Sequence, residues 1–125
     1  MRSLLLLSIA AIAAGLVIAT GHSADAADPA QGEHAFAKCA VCHAKDSSNK
    51  FGPGLLGVIG RHAGSVPGFR YSQAMKNSNI VWDEKSLDEF IMSPQKALPG
   101  NAMPFAGIPD QKERDDLIAY LEMLK

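Results

Sequence analysis

Cys39-Ala40-Val41-Cys42-His43 contains both cysteines of the chain and one of its four histidines. Two thiols separated by two residues support three chemistries. A redox disulfide wants the pair to open a helix in a βαβ setting, but here the pair closes a helical pattern and no strand precedes it. Structural zinc wants two further ligands at suitable spacing, and His34 and His62 stand isolated. The third chemistry is covalent haem attachment through C-x-x-C-H. Each thiol then adds to a vinyl group, both cysteines are consumed as thioethers, and His43 is placed beneath the iron. Iron that carries electrons needs both axial positions filled, and a methionine thioether favours the reduced state. Met75 and Met92 fall in or near helical patterns, and Met123 falls in the last turn. Met103 alone sits in a Pro/Gly-punctuated run, Pro99-Gly100-Asn101-Ala102-Met103-Pro104-Phe105, 60 residues beyond His43. Its rival role is to fill a gap in the core.

The elements that must position these residues follow from composition and pattern. The chain has 125 residues, a formal net charge of −1 and a pI near 6.4. That length allows one domain, and that charge offers no basic surface for nucleic acid. Arg2 followed by the apolar stretch Leu4 to Ala19, and then Ala24-Asp25-Ala26, reads as an export signal with an A-x-A cleavage site. Sixteen residues fall short of the roughly 17–25 a membrane span needs. The expectation is therefore a cleaved signal over 1–26, a single domain over 27–125, export to the periplasm and no stable membrane insertion. After position 26, Leu, Ile, Val and Phe make up only 21 of 99 residues. So small a set of large apolar side chains calls for a staple.

Asp28-Pro29-Ala30-Gln31 predicts a helix start with Gln31 as capping-box partner, running to about Val41 with Phe36 inward. Gly52 to Gly68 reads as turns and loops. Asp83 or Ser86 caps a short helix carrying Leu87, Phe90 and Ile91, which Pro94 ends at Ser93. A second loop runs from Pro94 to Pro109. Asp110-Gln111-Lys112-Glu113 is another capping-box pattern, and it opens a terminal helix with Leu117, Ile118, Leu121 and Leu124 at helical spacing. Strand alternation is absent. The fold class is all-α, with three or so helices and two long loops that need something to wrap around.

At this point the sequence resembles the class I c-type cytochromes, close to the mitochondrial and photosynthetic-bacterial carriers. The resemblance covers nearly the whole chain after the export signal. It includes C-A-V-C-H at 39–43, F-G-P-G-L-L-G-V-I-G-R at 51–61, P-G-F-R-Y-S at 67–72 and Trp82. It continues through L-P-G-N-A-M-P-F-A-G-I at 98–108 and E-R-D-D-L-I-A-Y-L at 113–121. The resemblance implies a small cytochrome c fold wrapped around one haem c, thioether-linked to Cys39 and Cys42, with iron ligated by His43 and Met103. It implies that the Pro53 carbonyl accepts the other imidazole hydrogen of His43, and that Arg61, Tyr71 and Trp82 hydrogen-bond the haem propionates. Leu55, Leu98 and Phe105 are expected to line the pocket. Gly32 and Phe36 are expected to meet Leu117 and Tyr120 where the first and last helices cross.

Three departures from the family pattern matter. Phe90 stands where a tyrosine is frequent, thirteen residues before the methionine, so a hydrogen bond to the methionine sulfur is lost. Asn101 replaces a frequent threonine and is assigned a polar role near a buried propionate. The basic ring is thin: Lys38, Lys45, Lys50 and Lys96 match or lie near the family's positions, while Ala102, Pro109 and Asp110 replace lysines. The implied function is a monomeric one-electron carrier, not an enzyme, docking transiently near those four lysines on reductases and oxidases, dehydrogenases or a photosynthetic centre. A peroxidase would need an open iron position that Met103 denies, and a sensor would need Met103 to leave. A dedicated dehydrogenase subunit would differ only in the exclusivity of its partner.

Overall fold

Five helices in chain order, joined by long loops, make up the computed structural model, which describes residues 25–125. Apart from its last two residues, the expected export signal lies outside the described residues. Helix α1 spans Pro29–Ala40. The Asp28 side chain accepts from the Ala30 N–H at 2.9 Å, and Pro29, which lacks a backbone donor, occupies the first turn. The capping box through Gln31 is not formed. The Asp28 backbone N–H donates instead to Asp116 Oδ1 at 2.6 Å, because the last helix lies against this end of the first. Helix α5, Gln111–Glu122, is capped by Asp110, which accepts from the Glu113 N–H at 2.7 Å. The Glu113 carboxylate is turned to Lys38 of α1, so this cap too is one-sided.

The crossing of α1 and α5 falls where expected. A Cβ on Gly32 would lie 1.9 Å from the Asp116 carbonyl oxygen and 2.7 Å from Tyr120 Cβ, so only glycine lets the two backbones meet. Phe36 packs there against Tyr120, with ring centroids 5.4 Å apart, and Leu117 is wholly buried. The Lys45 ammonium sits 5.5 Å from the Tyr120 centroid and 5.9 Å from that of Phe36, and it pairs with Glu33 at 2.8 Å. These contacts tie the segment after the Cys-His motif back onto the crossing.

Helix α3, Glu84–Met92, has a complete capping box in which Asp83 and Ser86 each serve the other's backbone. The structure departs from the sequence reading at three places in the loops. Pro94, set at the first helical position, starts a one-turn helix α4, Pro94–Ala97, inside what was read as loop. Ser72 caps a five-residue helix α2, Gln73–Asn77, too short to leave a periodic signature. Third, residues 60–63 run antiparallel to 80–82 through a single bridge, His62 to Val81, with Gly60 N to Trp82 O at 2.7 Å and Trp82 N to Arg61 O at 2.9 Å. The fold remains all-α, with no sheet among the described residues.

Candidate haem site

The motif Cys39 to His43 continues the last turn of α1 past its end. The N–H groups of Cys42 and His43 both donate to the Cys39 carbonyl, at 3.0 and 2.9 Å. A helical turn places residues three and four apart on one side, so both thiols and the imidazole emerge from one face. Both cysteines are free thiols, half-buried. Burial pushes the Cys39 thiol up to about 11, so it is protonated at neutral pH. No group of three or more His, Cys, Asp and Glu side chains among the described residues is placed to hold a metal ion.

The next loop is laid directly against this face. The Gly52 N–H donates to the Cys42 carbonyl at 2.8 Å, and the Leu55 N–H donates to that of Ala44 at 3.0 Å. A Cβ on Gly52 would fall 2.3 Å from His43 Cε1, so the loop can approach the ring only as glycine. One residue later, Pro53 offers its carbonyl to His43 Nδ1 at 2.8 Å. Nδ1 therefore carries the hydrogen, and Nε2 keeps its lone pair. Burial chiefly lowers the His43 pKa, with Arg61 and Lys50 adding to it against the opposing Pro53 bond, so the ring is neutral at pH 7. A neutral imidazole held by an outer hydrogen bond is the form that binds metal.

Arg61 and Trp82 are brought side by side by the His62–Val81 bridge. The Arg61 guanidinium donates to the carbonyls of Leu56 at 3.0 Å and Gly54 at 3.1 Å. Trp82 is buried, with its ring 5.1 Å from that of Phe90, the residue standing in for the frequent tyrosine. The Tyr71 hydroxyl accepts from the Val66 N–H at 3.2 Å and so retains its own hydrogen to donate. Leu55, Leu98, Met103 and Phe105 pack on the edge of the core but remain only partly buried. The core of the chain alone does not cover them, which fits an additional apolar body at that edge.

No hydrogen bond among the described residues joins the Met103 loop to the His43 segment, and Met103 is held by its own loop. Asn101, 6% exposed, accepts from the Met103 N–H at 2.9 Å. Its amide nitrogen donates to the Pro94 and Leu98 carbonyls at 2.9 and 2.8 Å. Both amide hydrogens are thus committed to the loop backbone, and the asparagine fastens the Met103 segment to α4.

Two residues that sequence reasoning left unassigned complete the scaffold. Buried Arg114 donates to the Ile108 and Pro109 carbonyls at 2.9 and 2.8 Å and to Asp88 Oδ1 at 2.7 Å, anchoring the end of the Met103 loop to α3 and α5. Asn49 bridges two loops, donating to Pro67 O at 3.1 Å and accepting from Gly54 N at 3.2 Å. An arginine in a helix and an asparagine in a loop carry no local mark of such long-range roles. Of the four lysines expected at a docking face, Lys38 pairs with Glu113 and Lys45 with Glu33, while Lys50 donates to the Ala40 carbonyl at 2.6 Å. Lys96 lies in the last turn of α4.

Residues 29–125 match the family model described as cytochrome c. Cytochrome c2 of Rhodoblastus acidophilus is 46% identical over 102 residues, covering 80% of this chain and 95% of the relative. Cytochrome c2 of Rhodopila globiformis is 48% identical over 105 residues, covering 82% of this chain and 99% of the relative. Among solved structures, cytochrome cH from Methylobacterium extorquens superposes with a TM-score of 0.73 at 45% identity, over 76% of this chain and 97% of that one. With likeness of sequence and fold running the length of the helical domain, the chain belongs to the cytochrome c family, as a class I, monohaem member of the c2 and cH type.

Proposed function

We propose that this chain shuttles single electrons between redox proteins in the periplasm, with haem c linked to Cys39 and Cys42 and its iron ligated by His43 and Met103. The chain is a one-electron carrier working through covalently bound haem c, and by family it is not an enzyme. The observation that best supports the finer reading is the His43 Nδ1 to Pro53 O bond, with Gly52 against the ring. It fixes the tautomer and the orientation of the imidazole and leaves one nitrogen available as a ligand.

Bound haem supplies a metal centre that takes up and releases one electron. The residues of the chain keep that exchange inexpensive in rearrangement. Pro53 and Gly52 hold the imidazole in place, and Asn101 holds the Met103 backbone, so neither ligand has to move between oxidation states. Leu55, Leu98 and Phe105 exclude water from the pocket edge, which raises the potential. Arg61, Tyr71 and Trp82 supply N–H and O–H donors to the propionates, which would otherwise be buried charges without partners. Periplasmic export rests on the signal pattern over residues 1–26, and no helix among the described residues is long and apolar enough to cross a membrane.

The test is the weak near-infrared band of a methionine–ferric bond in the oxidised holoprotein. The wild type should show it and Met103→Ala should abolish it. A high-spin, water-bound iron in the wild type would overturn the ligand assignment. N-terminal sequencing of the exported protein should find a start near Ala27, and a start at Met1 would mean a tethered carrier.

A further inference from the structure

Phe51 and Val41 are 90% and 73% exposed, the two most exposed large apolar side chains among the described residues. They lie together. The Gly52 N–H bond to the Cys42 carbonyl brings the Lys50-Phe51 turn beside the motif, and Val41, Lys50 and Phe51 border one shallow depression. Neither side chain serves the fold. Gly52 and Pro53 turn inward to His43, while Phe51, one residue earlier, faces solvent. Val41 stands between the two cysteines, so the patch adjoins the segment expected to carry the cofactor. Exposed apolar side chains clustered beside a working site mark a contact surface, and aromatic side chains are enriched where interfaces gain their energy.

The charges around the patch decide what kind of partner it fits. Lys38 and Lys45 share their surface with Glu113 and Glu33, and the Lys50 ammonium is turned onto the end of α1 at Ala40. Such exposed pairs are individually weak. Even when they open, the two carboxylates remain beside the two ammoniums, which leaves Lys50 as the one charge at the patch without a carboxylate partner. With a formal net charge of −1 on the whole chain, neither long-range steering nor a strongly acidic partner is favoured.

We infer that Val41 and Phe51 form an apolar docking face bordered by the single ammonium of Lys50, and that the partner it fits is an electron-transfer protein whose own docking face is apolar and weakly charged. The inference rests on the proposed function. It replaces lysine-guided docking with apolar contact as what selects the partner.

A second copy of this chain presents such a face, so a ferric–ferrous mixture of the holoprotein serves as its own probe. The electron self-exchange rate is read from NMR line broadening in the wild type and in a variant combining Val41→Ser with Phe51→Ser. The expected wild-type rate changes less than about threefold between low salt and roughly 0.5 M, where exposed charges are screened. The double variant should exchange at least about tenfold more slowly, as loss of an interface anchor predicts. Its reduction by ascorbate and its near-infrared band should not change, because both side chains are solvent-exposed. A variant that exchanges as fast as wild type, or a wild-type rate rising steeply with salt, would overturn the inference. Failure of the underlying reading looks different: the wild type itself would lack a covalent haem spectrum or the methionine band.

Discussion

Replacing Asn101 by alanine removes the acceptor of the Met103 N–H and two donors to the Pro94 and Leu98 carbonyls. The three losses are unequal. The Pro94 carbonyl also accepts from the Leu98 N–H at 2.9 Å, and the Leu98 carbonyl from the Asn101 N–H at 3.2 Å, so each keeps a partner. Met103 N–H has no other acceptor. An orphaned donor costs about 1–3 kcal/mol when buried, and the bonds to carbonyls that keep a partner fall at the low end, about 0.5 kcal/mol each. Met103 is partly exposed, so water recovers some of the loss. The closed loop should therefore be weakened by about 2–3 kcal/mol, or about 30- to 150-fold in the population of the open form. The assay is the near-infrared methionine band of the oxidised holoprotein, followed against temperature and pH. In Asn101→Ala the band should vanish at a lower temperature and a lower pH than in wild type, while the helical signal persists at the point of loss. Asn101→Asp keeps the acceptor but sets a carboxylate against two carbonyls, so it should not rescue. If Asn101→Ala keeps the wild-type thermal and pH midpoints of the band, the clamp has no hold on Met103.

Gly32→Ala should destabilise the holoprotein by about 3 kcal/mol or more in denaturant unfolding, since its Cβ meets helix backbone that cannot yield. The carboxylate of Asp116 is held below its usual range, first by the Asp28 N–H and then by Lys112, against some desolvation. A depressed folded-state pKa stabilises above the ordinary carboxylate range and is lost as pH falls through the depressed value. Asp116→Asn should therefore lower stability at neutral pH and flatten the acid limb of unfolding free energy against pH. Cys39→Ala combined with Cys42→Ala should leave the chain largely unfolded by far-ultraviolet circular dichroism. With 21 large aliphatic and Phe residues in 99, and Leu55, Leu98 and Phe105 only partly covered, the chain lacks a closed core of its own.

The helix starts and the candidate haem-attachment motif were legible in one dimension because their signals are local. Cys39, Cys42 and His43 fall within one helical turn, the caps Asp28, Asp83 and Asp110 act over two or three residues, and Pro94 ends its helix by its own ring. Family resemblance extended this reading to Pro53, whose carbonyl lies 2.8 Å from His43 Nδ1, and to the Gly32 crossing, where the Asp116 carbonyl leaves no room for a Cβ. What tertiary structure alone decided are the arrangements whose partners lie far apart in the chain. The Asp28 N–H went to Asp116 rather than Gln31, and Glu113 to Lys38 rather than its own cap, because packing α1 on α5 offered nearer partners. Arg114 became the anchor of the Met103 loop, and Asn101 its clamp, through bonds to carbonyls that no spacing rule marks. The proposed docking face likewise emerged only when Val41 and Phe51 were brought together, with Lys38 and Lys45 beside carboxylates and Lys50 turned onto the Ala40 carbonyl. A local pattern specifies a turn or a ligand, but which polar group meets which, and which apolar side chain stays in water, is settled by the packing of the whole chain.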